Sequence, residues 1–461
     1  MRTMKRLEHA IGWSHRFNWP KFPVRIDSDL ALLVGWSAIS GAAALTNGYY
    51  SSSAISLVLL GTFVLFALAM MRPRKQPMAG QHMDFGFAVA AVTFTALALP
   101  SGLYGSGFDF YCAHTLTALA AISLAVVFVF SIRVPRVFVY VVIAVQLIAG
   151  CLLVIANPDP LIDVWNALQA AANGLGHDRN MYNMQWFALP GQDSNAFPYF
   201  PGCVVFLWPF YLIFRDVRYG ELFAFASTAL ILMRSRRGQS GVLIGCLAVL
   251  YPGALFGIQS AWIDPILLLE VSAAAWACTR GRKGLAMLAF GAALASKPQV
   301  WLLLPLAAVW KDFGWRRTAI TFGGSVVFML PWYLASPSGF VNGVLLSPIR
   351  HSNGLASLSL YTTLALHDWH IAVGGTVLAT VVALGLAMWR GQRDTRGFLL
   401  SSALVMAIFN LTNSDSFFNE WWLTAGLVLA AIAFSESTVS DPSGAFVSKV
   451  DQSQTHVPAV S

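Results

Sequence analysis

Apolar runs alternate with short polar connectors along most of the 461-residue chain. Runs at 30–47, 54–71, 85–101, 113–131, 137–156, 219–233, 241–256, 263–278, 284–296, 299–310, 318–334, 371–389, 397–411 and 420–434 predict about fourteen membrane helices. Several are shorter than the ~20 residues of a full crossing, a length at which helices tilt, break or insert halfway. The connectors are basic: RPRK (72–75), RVPR (133–136), RSRR (234–237), RGRK (280–283), KDFGWRR (311–317) and WRGQRDTR (389–396). Positive connectors mark the cytoplasmic side. With the chain before the first run placed inside, every one of these falls on that side. The alternation holds only if PGCVVFLWPFYLIF (201–214), interrupted by Pro209, does not cross; it reads as a half-inserted helix on the outer face.

One interval breaks the rhythm. From Asn157 to Tyr219 the connector is far longer than the others and rich in polar groups. A loop of that length inside a compact domain is usually functional or disordered, and its aromatic and aliphatic content argues against disorder. Leu161, Trp165, Leu168, Ala172 and Leu175 recur at helical spacing, while Asp163, Asn166 and Asn173 recur on another face. This predicts an amphipathic helix over 161–175, lying on the membrane with its apolar side down and its carboxylate up. Gly174 and Gly176 are expected to stop it. Asp163 near the first turn also suits the positive end of the helix dipole, so capping competes with chemistry as its role.

Composition agrees with the pattern. The chain is 57% hydrophobic and 11% charged, with a mean hydropathy of +0.64, against about 25% charged residues in soluble proteins. It reads as an all-α polytopic membrane protein with about fourteen helices, in contact with membrane lipids. The net charge of +8 resides in the connectors, where it sets topology, so no nucleic-acid partner is expected. Five scattered cysteines show neither a disulfide framework nor zinc spacing. His177, Asp178 and Asp193 lack the spacing of a defined metal site. A hard cation on scattered carboxylates is the competing option, but no metal or other cofactor is favoured. Gly-rich phosphate loops and nucleotide folds are absent from the pattern.

The expected organisation is a basic cytoplasmic tail (1–29), an additional N-terminal four-helix membrane region (30–136), a membrane core (137–434) containing the long outer loop (157–218), and a disordered cytoplasmic tail (435–461). The first tail lacks the apolar core and cleavage site of a secretory signal. Five of the 29 Lys and Arg residues then lie outside: Arg179, Arg215, Arg218, Lys297 and Arg350. Lys297, in LASKPQVW between two apolar runs, is costly at membrane depth unless it faces a partner or polar cavity; a snorkelling lysine competes. Arg350 and His351 sit in a polar outer stretch and could neutralise a phosphate or move a proton. Gln259 and Asp264 in FGIQSAWIDP are expected to face outward, with N-capping an alternative for Asp264. Glu270 is the acidic residue placed well inside a span, where a structural hydrogen bond competes with a functional role.

IDVWNALQAAANGLG (162–176), MYN (181–183), FPYFPG (197–202), FRDVRYGE (214–221), FGIQSAWID (256–264), ASKPQVWLLLP (295–305) and RHSN (350–353) follow one another over roughly 137–434. In this order and on the outer side they resemble the membrane-embedded glycosyltransferases of the GT-C fold. The chain looks most like bacterial envelope mannosyltransferases and arabinofuranosyltransferases, which use polyprenyl-phosphate sugars as donors and act on glycolipid or polysaccharide acceptors. The family's Tyr-Pro-Pro is replaced by Tyr199-Phe200-Pro201-Gly202, and four spans precede the matching core. The resemblance implies a catalytic first outer loop with Asp163 as general base. It implies Lys297, His351 and Arg350 at the donor phosphate, and Asn166, Arg179, Tyr199, Gln259 and Asp264 as candidate substrate contacts. It further implies an extracytoplasmic active site in the plasma membrane, with both termini cytoplasmic. A transporter or flippase of lipid-linked sugars, and a different membrane transferase, are the competing readings.

Overall fold

A computed structural model describes residues 28–70, 106–130, 132–160, 162–184, 196–347 and 356–435. Among them the regular elements are helical; extended pairing is confined to an isolated bridge between Tyr49 and Ser357. In chain order they are α1 (Ser28–Thr46), α2 (Ser52–Met70), α3 (Phe108–Val129), α4 (Val137–Ala156), α5 (Asp163–Leu175), α6 (Pro201–Phe214), α7 (Arg218–Ser235), α8 (Gly238–Val249) and α9 (Ala254–Ser260). There follow α10 (Asp264–Thr279), α11 (Lys283–Leu294), α12 (Leu304–Val309), α13 (Trp315–Ala335), α14 (Pro337–Val341), α15 (Leu360–Ala365), α16 (Val373–Arg390), α17 (Thr395–Thr412) and α18 (Phe418–Ala433).

The protein is α-helical and membrane-type, but the expected fourteen crossings are not all full spans. Among the described residues eight stretches are long and apolar enough to cross: α1, α2, α3, α4, Gly238–Ser260, α13, α16 and α17. The run at 241–256 is interrupted, because α8 ends at Val249 and α9 begins only at Ala254. The run at 299–310 is a 3-10 turn (Pro298–Leu303) followed by the six-residue α12, with prolines at the start of both. Helices α10 and α18, at 16 residues each, are short for a crossing. The expected span at 85–101 lies outside the described residues.

Burial sorts the helices into layers. Within Gly238–Ser260, 94% of the span is buried, against 22% of α13 and 17% of α16. The first is therefore central, and the last two present aliphatic faces outward (Val327, Leu334, Val377, Leu378). Helices α1 and α2 share one core with α17, α18 and α8; Trp36 of α1 meets Tyr251 edge-on at 5.6 Å.

The basic connectors gather at one end. Asp29 pairs with Arg236 at 2.9 Å and Arg396 at 2.8 Å, and the Ser435 hydroxyl donates to it at 3.0 Å. Lys283 donates to the Asp312 carbonyl (2.6 Å), the Lys311 N–H to the Arg393 carbonyl (2.8 Å), and Gln239 to the Val134 carbonyl (3.1 Å). Exposed Trp315 and Trp389 stand at this end under Arg316 and Arg390, as side chains of an interfacial belt do. At the opposite end, the Leu358 N–H donates to the carbonyls of Gly48 and Ser416 and the Tyr50 N–H to that of Ala356. This end also carries the described part of the long loop. RPRK (72–75) and the two tails lie outside the described residues, apart from Ser28, Asp29 and Ser435.

Candidate functional site

The amphipathic helix forms where the spacing places it, as α5, Asp163–Leu175. Its apolar stripe faces protein, where the expectation turned that side toward lipid. Trp165, Leu168, Ala171 and Ala172 are buried in one cluster with Leu207 of α6 and Val217. The polar edge of α5 fastens the same contact. The Gln169 side chain donates to the Arg215 carbonyl (2.7 Å) and accepts from the Val217 N–H (3.1 Å), while the Tyr211 hydroxyl donates to Asn173 (2.8 Å). Packing against α6 covers apolar area that would otherwise face water or headgroups. Gly176 follows the helix at φ −73°, so the stop does not use glycine's left-handed freedom; the chain takes that conformation at Asp178, φ 54°.

Arg218, expected as an outer cation, is fully buried and pairs with Asp216 in a fork at 2.6 and 3.0 Å. It also donates to the Asn157 carbonyl at 2.9 Å and lies 5.5 Å from the Trp165 ring. The guanidinium therefore joins the two ends of the long loop, Asn157 and Arg218. Its role is structural.

The aromatic-Pro segment docks on the turn between α11 and the 3-10 element. The Gly202 N–H donates to the Ala295 carbonyl (2.7 Å) and the Phe200 N–H to that of Ser296 (3.2 Å). A Cβ at Gly202 would sit 2.5 Å from the Ala295 oxygen, so the approach requires glycine. The next residue is Lys297. Its ammonium is buried and donates to Asp264 at 3.1 Å and Glu420 at 3.4 Å. Asn419 donates to Asp264 (3.3 Å) and Glu420 (2.7 Å), and the Phe417 N–H donates to the second Glu420 oxygen (3.1 Å). Two carboxyl groups share this one ammonium. Burial pushes the Lys297 ammonium toward neutrality, but the two carboxylates outweigh it and hold its pKa above the usual value.

Tyr199 stands beside this group, half-buried. Burial, and then the negative charges of Asp163, Asp264 and Glu420, push its phenol well above the ordinary value. The hydroxyl thus stays protonated and available as a donor. The same influence puts Asp163 within electrostatic reach of the phenol that also feels Asp264 and Glu420. Asp163 itself is exposed, and one of its oxygens accepts the Val164 N–H at 2.8 Å.

The structure brings Asp163, Tyr199, Asp264 and Lys297 to one region at the loop end. It corrects two orientations: Asp264 and Gln259 are buried, at 1% and 0% exposure, and do not face outward. Asp264 makes no capping bond; its carboxylate turns to Lys297. Lys297 does not snorkel. Asn166 is half-buried on α5, and Arg179 is exposed and in no ion pair among the described residues. Arg350, His351 and Asp193 lie outside the described residues. Glu270 is buried, beside the Ser296 hydroxyl, with its second oxygen unpartnered among the described residues. Among the described residues, no group of three or more His, Cys, Asp or Glu could hold a metal ion.

Sequence reasoning missed Glu420 and Asn419. They open the last apolar run, on the same side as Lys297. An acid at the mouth of a span, facing a lone lysine at the mouth of another, is a signal the charge pattern carried. Scans against family models and searches of curated proteins and solved structures return no match to this chain.

Proposed function

We propose that the protein is an inverting glycosyltransferase, moving a sugar, mannose or arabinofuranose, from a polyprenyl-phosphate donor to an envelope glycolipid or glycan on the extracytoplasmic face of the plasma membrane. The supporting observation is that exposed Asp163 and the carboxyls of the buried Asp264–Lys297–Glu420 group all act electrostatically on the Tyr199 phenol. An acceptor hydroxyl is a weak nucleophile. A carboxylate within reach takes its proton as the acceptor oxygen bonds to the anomeric carbon. The bond from that carbon to the phosphate oxygen breaks, and the polyprenyl phosphate leaves with the electron pair. One displacement inverts the carbon. Tyr199 keeps its proton and donates to sugar or acceptor.

Lys297 reaches the leaving phosphate only by exchanging a carboxylate for it, because both neighbours already share its charge. Arg350 and His351 supply the remaining positive charge in this reading. The apolar outward faces of α13 and α16 suit the isoprenoid tail, and the basic connectors at the other end orient that end toward the cytoplasm.

Purified protein offered mannosyl and arabinosyl polyprenyl phosphates side by side tests the reading. Transfer from one donor, lost in Asp163→Asn at undiminished expression, supports it. Absence of transfer from both removes the enzyme, and near-normal turnover of Asp163→Asn removes Asp163 as base. A second reading, a transporter of lipid-linked sugars, draws on Glu221. That residue is fully buried in α7 with neither oxygen partnered among the described residues, as proton-carrying groups in transporters are. Labelled donor crossing liposome membranes without transfer would favour it.

A further inference from the structure

A second polar feature lies at the break in the buried span Gly238–Ser260. The span Gly238–Ser260 is interrupted at Leu250–Gly253, where Pro252 supplies no N–H and Gly253 turns left-handed at φ 80°. The Phe418 ring lies where a Cβ on Gly253 would be, so the break is sealed on that side. Non-helical backbone at membrane depth persists only where it is buried in protein or lines a watered cavity. Here the backbone is buried in protein and also lines a cavity. Residues 250–256 line a small cavity with His114 and Thr117 of α3 and Gln146 of α4. It has about 20 Å³ of room for the centre of a water molecule; one water takes on the order of 10–15 Å³ of such space.

The side chains facing it are hydrogen-bonded on one side only. The His114 Nδ1 lies 2.8 Å from the Phe110 carbonyl, which can only accept, so Nδ1 carries a proton and, in the neutral ring, Nε2 is an acceptor. The Thr117 hydroxyl donates to the Gln146 Oε1 at 2.9 Å, which leaves the Gln146 amide nitrogen as donor. Among the described residues neither His114 Nε2 nor Gln146 Nε2 has a partner, and Gln146 is 2% exposed. One bare acceptor and one bare donor at a single hollow match a molecule that both gives and takes a hydrogen bond.

We propose that this helix break is an intramembrane binding site for one water molecule, which donates to His114 Nε2 and accepts from the Gln146 amide. The water satisfies two polar groups that would otherwise be orphaned in an apolar interior and lets α9 leave the axis of α8. Helix α9 then runs directly to the turn at Ala261 and on to Asp264.

Radiolytic hydroxyl labelling of the purified protein in detergent tests this. Water held against a buried side chain oxidises it on irradiation, whereas a dry one stays inert. Tyr251, which lines the cavity at 3% exposure, should label several-fold faster than Phe290, buried at 0% elsewhere in the bundle. Gln146→Leu and His114→Phe should each bring Tyr251 down to the Phe290 rate. Tyr251 as inert as Phe290 in the unmodified protein overturns the proposal, as does a lipid hydroxyl found in the cavity by mass spectrometry. Labelling that survives both substitutions overturns the assignment of the two partners. Should one variant fail to fold, the unmodified protein and the other still decide.

Discussion

Lys297 and Glu420, 123 positions apart, meet at 3.4 Å, and the same ammonium reaches Asp264 at 3.1 Å. Three elements converge on this one charge: the turn after α11, the start of α10 and the start of α18. Removing one member of a buried ion pair strands the other, at a cost of about 3–5 kcal/mol. Lys297→Met should therefore lower the melting temperature of the detergent-solubilised protein strongly, by circular dichroism or scanning fluorimetry. Adding Asp264→Asn and Glu420→Gln to it should restore much of the loss, since apolar or neutral replacements of whole buried ion clusters are tolerated. A Lys297→Met protein as stable as the parent would show the ammonium unpaired.

Asp163 should behave in the opposite way. It is exposed and, among the described residues, bonded only to a neighbouring N–H, so Asp163→Asn should change stability by no more than about 0.5 kcal/mol. If it abolishes sugar transfer while the melting curve is unmoved, the carboxylate acts in chemistry. A large fall in melting temperature would return it to a capping role.

Arg218 clamps the ends of the long loop. Arg218→Met leaves Asp216 buried without its cation and removes the guanidinium's hydrogen bond to the Asn157 carbonyl. We expect a loss of about 3–5 kcal/mol and faster proteolysis within 157–218. Limited digestion followed by mass spectrometry reads the cut positions; cleavage rates equal to the parent's would refute the clamp.

Gly202 allows the aromatic-Pro segment to lie on the turn preceding Lys297. Gly202→Ala drives a methyl into the Ala295 carbonyl, an overpacking worth about 1–3 kcal/mol. It should also displace Tyr199 from the charged group. Activity should fall by more than the stability loss predicts, measured as kcat beside the unfolding midpoint of the same preparation.

At the basic end, Asp29 accepts from Arg236, Arg396 and Ser435. Asp29→Ala would remove the carboxylate that both guanidinium groups share and loosen the contact of α1 with α17 and α18. A drop of about 3 kcal/mol or more is expected, while the loop end, at the opposite end of the bundle, keeps its geometry. Melting temperature and donor binding should thus separate in this variant.

Much of this architecture was legible in one dimension. Residue period and composition are local properties, and hydrocarbon admits only helices whose backbone groups are paired within the segment. Hence 137–156, 318–334, 371–389 and 397–411 appear as helices within a few residues of where the apolar runs end. The basic connectors described by the structure share one end for the same reason. The stripe of α5 was equally visible, because i, i+3 and i+4 positions meet on any helix.

What covers a stripe, and what neutralises a charge, depends on partners far along the chain. Only the folded protein set α5 against α6, buried Arg218 with Asp216, and turned Asp264 inward to Lys297 and Glu420. Spacing says nothing about which of several acids at the loop end meets a given lysine, since a charge brought into a low-dielectric interior takes whichever counterion the packing of helices places within a few ångströms.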